Sequence, residues 1–289
     1  MEKINKAKTP VFLHYPKCGG MSIREKIEAV FFESGNKNKK SILYIYDFSQ
    51  NHLFHLFVEN FDGSNLNNTF RHTQYGWYMP LDELPIALKW QTELKIHSIV
   101  VTGHGVRFFG NNFLQIILSN YTTIDPLYFM SIRDPWEREK SWFFYLRSEA
   151  SKHEDIHKPY GDVSFEDYVK KDMQDSWLAT SLLEKNSVLL KNDDIHTIDT
   201  ITKKIIFFDI ENLESSFVSI YKKCGIILSE HFIKNVLPTR SHVGVDSKER
   251  SDLNHGTQIF SIFKQKKDIE YKLYEILKYR NLETDKLNF

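Results

Sequence analysis

One stretch near the start of the chain, HYPKCGGMS at 14–22, combines residue types that bind anions. Lys17 carries a full positive charge, Ser22 offers a hydroxyl donor, and Gly19 and Gly20 allow the backbone to approach a ligand closely. An apolar run precedes the stretch and apolar residues at helical spacing follow it, which predicts strand, loop and helix. Backbone N–H groups at the helix start would add to the positive charge, so the pattern predicts a cradle for a phosphate or sulfate group.

Neither of two common nucleotide-binding patterns is present in this stretch. The Walker pattern GxxxxGK[ST] is absent because the lysine precedes the glycines, and the Rossmann pattern GxGxxG is absent too. A simpler interpretation is that PKCGG forms a tight turn with an exposed lysine. The strand before it and the helix after it favour a functional role.

A second stretch, YFMSIRDPWEREKS at 128–141, places Arg133 at the expected carboxyl end of a strand. Ligands of open α/β sheets bind at such strand ends. Ser141 follows about two helical turns later and lies on roughly the same side, with Arg138 on its face. An arginine fork with a hydroxyl suits a second phosphate. The alternative is that Arg133 pairs with a nearby carboxylate and Ser141 lies on a helix surface.

The elements that would position these motifs alternate between strands and helices. This alternation predicts an α/β fold with a parallel sheet covered by helices on both faces, in one domain spanning 1–289. We expect Asp134 to cap a helix that has Pro135 in its first turn. The segment 51–94 is expected to be irregular except for a helix near 82–95. The predicted strands are 11–15, 42–48, 97–104, 127–133 and 204–211. The other predicted helices are 21–32, 111–120, 134–148, one opening at SFED 164–167, one ending at Lys223, and 265–281.

Composition excludes several classes of protein. The chain has 289 residues, and Lys plus Arg and Asp plus Glu both number 38, which argues against a nucleic-acid-binding protein. No apolar run approaches the ~18 residues of a membrane span. The polar, Lys-rich start argues against a signal peptide, so a cytoplasmic protein is expected. Zinc-type Cys/His spacing and DxD are absent from the sequence, and HEDIH at 153–157 is the single stretch with HExxH spacing. No metal is expected.

The two motifs together resemble those of the sulfotransferases that use 3′-phosphoadenosine-5′-phosphosulfate (PAPS). The resemblance is greatest to the branch of heparan sulfate 2-O- and chondroitin-type carbohydrate sulfotransferases. HYPKCGGMS is similar to their PKTGGTS-like loop, and RDPWEREKS at 133–141 matches their RDPxxRxxS segment. The resemblance covers about residues 11–280 and is strong only in these short blocks. It implies a P-loop-like three-layer sandwich with a central parallel sheet flanked by helices, and PAPS as the cofactor.

The resemblance also assigns residues to the nucleotide. The 5′-phosphosulfate is assigned to Lys17, Cys18, Gly19, Gly20, Met21 and Ser22. The 3′-phosphate is assigned to Arg133 and Ser141. A loop that closes over the nucleotide in the family is similar to TRSHVGVDSKER at 239–250, with contacts assigned to Arg240, Ser241, His242 and Lys248. Cys18 and Met21 depart from the family's hydroxyl-bearing residues, so Met21 would act through its backbone N–H.

Transfer to a hydroxyl group requires a base, and histidine has a suitable pKa. His104 is the candidate, because it follows a predicted strand between two glycines and the family has a similar GH there. His14, at the end of the first predicted strand, is its rival. Lys17 is expected to have a second, catalytic role at the leaving oxygen. Each histidine has the alternative of a purely structural role.

The acceptor is expected to be a carbohydrate hydroxyl, with Arg107, Arg71 and His72 as candidate contacts for an anionic acceptor. Animal members of the branch are anchored by a membrane helix, which this chain lacks, so a bacterial cytoplasmic enzyme is expected. Two other functions stay open. A P-loop-type nucleotide-dependent kinase would need Mg²⁺ and a carboxylate, and Asp134 is the only carboxylate beside a motif. A non-catalytic module that binds glycans or nucleotides would be expected to lack His104 or Lys17.

Overall fold

The computed structural model of the chain shows a β-sheet accompanied by helices. It describes residues 8–33, 40–48, 51–58, 71–73, 76–80, 95–103, 125–150, 160, 162–171, 178, 203–238 and 252–286. Within these ranges, none of the helices combines the length and the apolar composition that crossing a membrane requires.

Eight strands of the described ranges form one mixed sheet. They are β1 (Thr9–Leu13), β2 (Lys40–Phe48), β3 (Asn51–Val58), β4 (Arg71–Thr73), β5 (Gly76–Pro80), β6 (Lys95–Gly103), β7 (Pro126–Ile132) and β8 (Ile205–Asp209). Their order across the sheet is β4-β5-β3-β2-β6-β1-β7-β8. The pairs β2–β6, β6–β1, β1–β7 and β7–β8 are parallel, as the sequence predicts. The pairs β2–β3, β3–β5 and β5–β4 are antiparallel.

Six α-helices accompany these strands in the described ranges. They are α1 (Gly20–Glu33), α2 (Pro135–Ala150), α3 (Phe165–Lys171), α4 (Leu213–Lys223), α5 (Gln258–Lys266) and α6 (Asp268–Lys286). A short 3₁₀ turn, Ile210–Asn212, precedes α4, and one π-helical turn, Phe232–Val236, follows it. The helices predicted at 82–95 and 111–120 lie wholly or almost wholly outside the described residues.

Side-chain caps fix the starts of two helices as the sequence predicts. Asp134 Oδ1 accepts hydrogen bonds from the backbone N–H groups of Trp136 (3.0 Å) and Glu137 (3.1 Å), which begins α2. Ser164 Oγ accepts from the backbone N–H of Asp167 (3.0 Å) and donates to its carboxylate (2.7 Å), which begins α3. Each cap satisfies backbone donors that have no partner within the helix.

The core lies where the parallel strands are covered. All five residues of β1 are buried, as expected for a strand with parallel neighbours on both sides. Phe129 places its ring 5.3 Å from that of Phe12 and 6.4 Å from that of Phe208, so one row of aromatic rings crosses β1, β7 and β8. The helices α1 and α4 pack on this row through Ile23, Ile27, Val30, Phe217, Ile220 and Tyr221.

The structure differs from the sequence-based expectations in two places. The start of the segment 51–94, expected to be irregular, contains β3, β4 and β5, with β2 and β3 paired over eight residues. Only Ser49 and Gln50 separate β2 from β3, and this pair lacks the Asn-Gly or glycine signal of a tight hairpin. The helix expected at 265–281 is confirmed by α6, Asp268–Lys286, but the separate helix α5, Gln258–Lys266, was not expected. Thr257 caps α5 by accepting a hydrogen bond from the backbone N–H of Phe260, so the helical region begins earlier than its charged, amphipathic part indicates.

The sheet order creates a crevice beside β1. The chain leaves β1 toward β2, on the side of β6, whereas it leaves β7 toward β8, on the opposite side. Ligands of open α/β sheets bind outside the carboxyl ends of strands where the connections diverge in this way. The segments that follow β1 and β7 carry the two sequence motifs, so the topology brings both motifs to this edge of the sheet.

Candidate functional site

The loop between β1 and α1, residues 14–19, is held by side chains from the end of β7. Ser131 Oγ donates a hydrogen bond to the carbonyl oxygen of Cys18 (2.5 Å), and both residues are buried. Arg133 Nη1 donates to the carbonyl oxygen of Lys17 (3.5 Å). Two consecutive carbonyl groups of the first motif are therefore held by side chains at the start of the second motif.

Close packing requires the two glycines where the loop meets α1. Gly19 has φ of 75°, and a Cβ atom there would lie 2.2 Å from Ile210 Cδ1. A Cβ atom on Gly20 would lie 1.9 Å from both Cδ2 and Nε2 of His14. Such distances are far inside van der Waals contact. The sequence assigns these glycines to ligand approach, and the structure gives them a packing role at His14 and Ile210.

The start of α1 offers backbone donors to the crevice. The backbone N–H of Ile23 donates to the carbonyl oxygen of Gly19 (3.0 Å), which is the first hydrogen bond of the helix. The N–H groups of Gly20 and Met21 precede that bond, in the turn where the first backbone donors of a helix have no acceptor within the helix. The first turn of α1 contains no acidic side chain, so its sequence does not neutralise the positive end of the helix dipole.

A cleft of about 360 Å³ opens beside this helix start. Both motifs contribute to its wall, through Gly19 and Ser22 from the first and Arg133 from the second. The other described residues that line it are Lys26, Asp134, Glu137, Ile210, Glu211, Leu213, Glu214, Leu237 and Pro238. The cleft therefore has a charged wall on α1 and the start of α2, and a largely apolar wall formed by residues after β8.

The charges in the cleft are mixed. Lys26 and Arg133 face four carboxylates, those of Asp134, Glu137, Glu211 and Glu214. Asp134 is the cap of α2, and Glu137 Oε1 lies 2.6 Å from Lys140 Nζ. Arg133 Nη2 lies 3.8 Å from Glu137 Oε2. The expectation that Asp134 is the only carboxylate near a motif is therefore wrong, because Glu137 lies within the second motif itself and the fold brings Glu211 and Glu214 to the cleft.

Lys17 extends its side chain toward α2. Its Nζ atom lies 3.4 Å from the ring centroid of Tyr145 and 6.0 Å from that of Trp142. The backbone at Lys17 has φ of 64°, which is uncommon for a residue with a side chain. Lys17 does not belong to the described lining of the cleft, so its ammonium group would have to leave Tyr145 to reach a ligand there.

His14 packs beneath the loop and is neutral at ordinary pH. Burial, together with the positive charges of Lys17 and Arg24, lowers the pKa of His14 to about 4. A neutral imidazole can accept a proton, but a base with so low a pKa is poorly matched to neutral pH. This argues against His14 as the rival base.

Three further residues of the motifs differ in exposure. Cys18 is fully buried, and burial raises the pKa of its thiol to about 12, so the thiol is chemically inert at neutral pH. The side chain of Met21, in the first turn of α1, is 56% exposed. Ser141 lies in α2, partly buried, two helical turns beyond Arg133.

A buried ionic network around Arg138 contacts the loop through Tyr15. Arg138, only 2% exposed, pairs with Glu139 (2.8 Å) and lies 3.9 Å from Glu270, both also buried. The guanidinium lies over the ring of Tyr15 in the loop at 5.3 Å, and the Tyr15 hydroxyl donates to Glu270 Oε1 (3.1 Å). Tyr168 of α3 donates to Glu139 Oε1 (2.5 Å). Arg138, the second arginine of the RDPxxRxxS pattern, therefore connects the loop to α3 and α6 and lies inside the protein.

Several predicted site residues lie elsewhere. Arg71 and His72 belong to β4 at the far edge of the sheet, five inter-strand steps from β1, or roughly 24 Å. The structure does not bring these two residues to the cleft. The predicted residues outside the described ranges are His104, Arg107, Arg240, Ser241, His242 and Lys248. Gly103, which precedes His104, ends β6 beside β1, and Pro238, which precedes the segment 239–250, lines the cleft.

The sequence interpretation missed several residues of the cleft. Lys26 follows Ser22 by four residues on the predicted helix, and residues four apart share a helix face. The sequence could therefore have predicted that Lys26 lines the same site as Ser22. Ile210, Leu213 and Leu237 carry no such signal, because they reach the cleft only through the pairing of β8 with β7.

No protein-family model matches this chain, and neither does any curated protein. Among the residues that the structure describes, no group of three or more His, Cys, Asp or Glu side chains is arranged to hold a metal ion. The class of site is therefore defined by geometry alone. It is a cleft at the edge of the sheet where the connections after β1 and β7 diverge, and it presents backbone donors, Lys26 and Arg133.

The contact between Gly20 and His14 makes a direct prediction. We expect Gly20→Ala to lower the free energy of unfolding by about 1–3 kcal/mol, because its methyl group would overlap the imidazole ring. Combining it with His14→Ala removes the ring, so the double variant is expected to lose less than the sum of the single losses, by about 1 kcal/mol or more. Urea unfolding of all three variants measures this coupling.

Gly256→Ala is the control for Gly20→Ala. The nearest atom to its added Cβ would be the Asn254 side-chain oxygen at 3.1 Å, so the overlap is much smaller. It should cost less than Gly20→Ala. Additive losses in the Gly20 and His14 variants would contradict the close packing described here.

The buried network makes a second prediction. We expect Arg138→Met to lower the free energy of unfolding by about 3 kcal/mol or more, because it leaves Glu139 and Glu270 buried without their cation. The control is Arg24→Met, which removes a partly exposed arginine from its pair with Glu28 and should cost about 0.5 kcal/mol or less. Equal losses in the two variants, measured by urea unfolding, would show that the network does not support the fold.

Proposed function

We propose that this protein is a sulfotransferase that transfers the sulfuryl group of PAPS to a hydroxyl group of an acceptor, with a carbohydrate as the expected acceptor. The observation that carries the proposal is the contact of the two motifs: Arg133 donates to the Lys17 carbonyl oxygen, and residues of both motifs line one cleft. A nucleotide with phosphate groups at both ends of its ribose needs two anion-binding groups within reach of each other, and this contact supports that arrangement.

The donor would be held from both ends. The backbone N–H groups at the start of α1, with Ser22, suit the 5′-phosphosulfate, because a helix N-terminus favours negative charge. Arg133 suits the 3′-phosphate, and Ser141, about two turns further along α2, lies on roughly the same side. The switch point between β1 and β7 supports the P-loop-like three-layer fold that the resemblance implies. Arg240, Ser241, His242 and Lys248 are proposed to complete the site from the segment after Pro238.

The reaction is proposed as an in-line displacement at sulfur. The acceptor oxygen attacks the sulfur atom, the bond from sulfur to the phosphate oxygen breaks, and adenosine 3′,5′-bisphosphate (PAP) leaves. His104 takes the proton of the acceptor hydroxyl. Lys17 stabilises the negative charge that develops on the leaving oxygen, as cations do in the related phosphoryl transfers. For this step the ammonium group of Lys17 has to move from Tyr145 to the nucleotide.

The acceptor contacts remain proposals. Arg107, Arg71 and His72 are assigned to an anionic acceptor, but β4 lies roughly 24 Å along the sheet from β1. Arg71 and His72 would therefore contact only a long acceptor, such as an oligosaccharide, and would bind units remote from the reacting hydroxyl.

One observation favours a second candidate, a nucleotide-dependent kinase. Four carboxylates line the cleft, and a kinase needs carboxylates to hold its Mg²⁺. Two of them are already engaged, Asp134 as a helix cap and Glu137 in an ion pair with Lys140. The two enzymes differ in metal dependence. Transfer from PAPS that persists in excess EDTA supports the sulfotransferase, whereas Mg²⁺-dependent transfer from ATP supports the kinase.

Nucleotide binding is the first test. We expect PAP at about 100 times its dissociation constant to raise the free energy of unfolding by about 2.7 kcal/mol, seen as a higher melting temperature. Arg133→Ala should weaken PAP binding about tenfold or more, because a charge-assisted hydrogen bond is lost. Arg147→Ala is the matched control, since it removes an arginine from α2, the helix that follows Arg133, and does not line the cleft. No stabilisation by millimolar PAP would overturn the proposal.

The base is tested by transfer from radiolabelled PAPS. We expect His104→Ala to slow turnover about a hundredfold or more while changing PAP affinity by less than about threefold, because general-base catalysis contributes on this scale. His14→Asn should keep most of the turnover, since the low pKa of His14 makes it a poor base at neutral pH. A near-normal rate for His104→Ala would show that the base is a different residue.

A further inference from the structure

Two aromatic side chains on α2 form a surface beside the loop. Trp142 and Tyr145 are three residues apart and lie on one face of the helix, with ring centroids 5.9 Å apart and planes inclined by 34°. The Tyr145 side chain is 41% exposed. We call Trp142 and Tyr145 the aromatic surface.

The aromatic surface is electrostatically matched to positive groups. Lys17 Nζ lies 3.4 Å from the centroid of the Tyr145 ring, which is the geometry of a cation held by the electron-rich face. The contact of a lysine with an exposed ring is worth about 0.5–1 kcal/mol, which an occupant of the same ring face would have to offset. The position of Lys17 also shows that an occupant of the Tyr145 face would lie directly beside the loop of the first motif.

A sugar ring has the chemistry that fits this place. One face of a pyranose presents several C–H bonds, which are weakly positive, to an aromatic ring, and its hydroxyl groups project at the edge and remain free to react. We propose that the aromatic surface binds a pyranose ring of the acceptor, and that this ring takes the place of the Lys17 ammonium group on Tyr145. The inference rests on the proposed function, and it adds an acceptor contact that lies next to the donor loop.

Replacement of Lys17 would couple the two substrates. While the ammonium group lies on Tyr145 it is not in the cleft, so the donor lacks its leaving-group cation. When a sugar ring covers Tyr145, Lys17 has to move, and the loop that carries it also borders the cleft through Gly19. The acceptor would thus release the residue that the proposed transfer requires.

The test is glycan binding by isothermal titration calorimetry, with full-length protein and four probes: cellohexaose, maltohexaose, and hexasaccharides of unsulfated chondroitin and heparosan. We expect at least one probe to bind the wild type. For that probe, Tyr145→Ala and Trp142→Ala should each weaken binding about tenfold, the scale of losing one ring contact. Tyr145→Phe keeps the ring face and should stay within about threefold. Ile276→Ala, which truncates an apolar side chain 39% exposed on α6, is the control for surface truncation.

The same variants are titrated with PAP, so that the two proposals fail separately. Unchanged PAP affinity together with weakened glycan binding supports the inference. Glycan binding that is equal in the wild type, Tyr145→Ala and Trp142→Ala overturns it, as does wild-type protein that binds none of the four probes at millimolar concentration. PAP affinity that falls about tenfold in Tyr145→Ala would show that the surface stacks the nucleotide base, which also overturns it. Wild-type protein that does not bind PAP counts against the proposed function instead.

Discussion

The conformation of the loop after β1 depends on two hydrogen bonds from the end of β7. Ser131 and Arg133 donate to the carbonyl oxygens of Cys18 and Lys17, which are consecutive in the chain. Cys18 is buried, and a buried carbonyl without a donor is costly, so the bond from Ser131 favours this one backbone path for the loop. The longer bond from Arg133 to the partly buried Lys17 acts in the same direction. The start of α1, the position of Lys17 and one wall of the cleft all follow from that path. The pairing of β1 with β7 is what brings the donors within reach.

Close packing makes the same loop stiff. Gly19 lies against Ile210, and Gly20 lies against the imidazole ring of His14, at distances that leave no room for a side chain. Below them, the network of Arg138, Glu139 and Glu270 contacts the loop through Tyr15. Backbone donors that are held rigidly bind an anion without first paying the entropy of ordering a loop. A flexible turn with the same sequence would offer the same groups and bind more weakly.

The sequence predicted those parts of the molecule that depend on short-range patterns. The strands β1, β6, β7 and β8, the cap at Asp134 and the serine cap at Ser164 follow from apolar runs and local hydrogen bonding. The antiparallel strands β3, β4 and β5 did not, because the residues between β2 and β3 lack the glycine or asparagine signal of a hairpin and because the pairing of β3 with β5 joins segments more distant in the chain.

In the candidate site, too, some features could be predicted from the sequence and others could not. The meeting of the two motifs was predictable, since both follow parallel strands and parallel strands end at one edge. The placement of the Lys17 side chain on Tyr145 and the burial of Arg138 were not, because each depends on which face of α2 turns toward the loop. The carboxylates of Glu211 and Glu214 reach the cleft only through the folded position of β8.

The hydrogen bond between Tyr15 and Glu270 joins residues 255 positions apart. Contacts of such sequence separation form late, because a long chain segment has to close before they exist. On the ribosome, the first strand and its loop emerge long before residue 270 is added, so the loop waits through nearly all of synthesis without its support. During that interval Tyr15 and the apolar row of β1 are open to wrong partners. Shortened chains that lack α6 should therefore be prone to aggregation even though they contain both motifs.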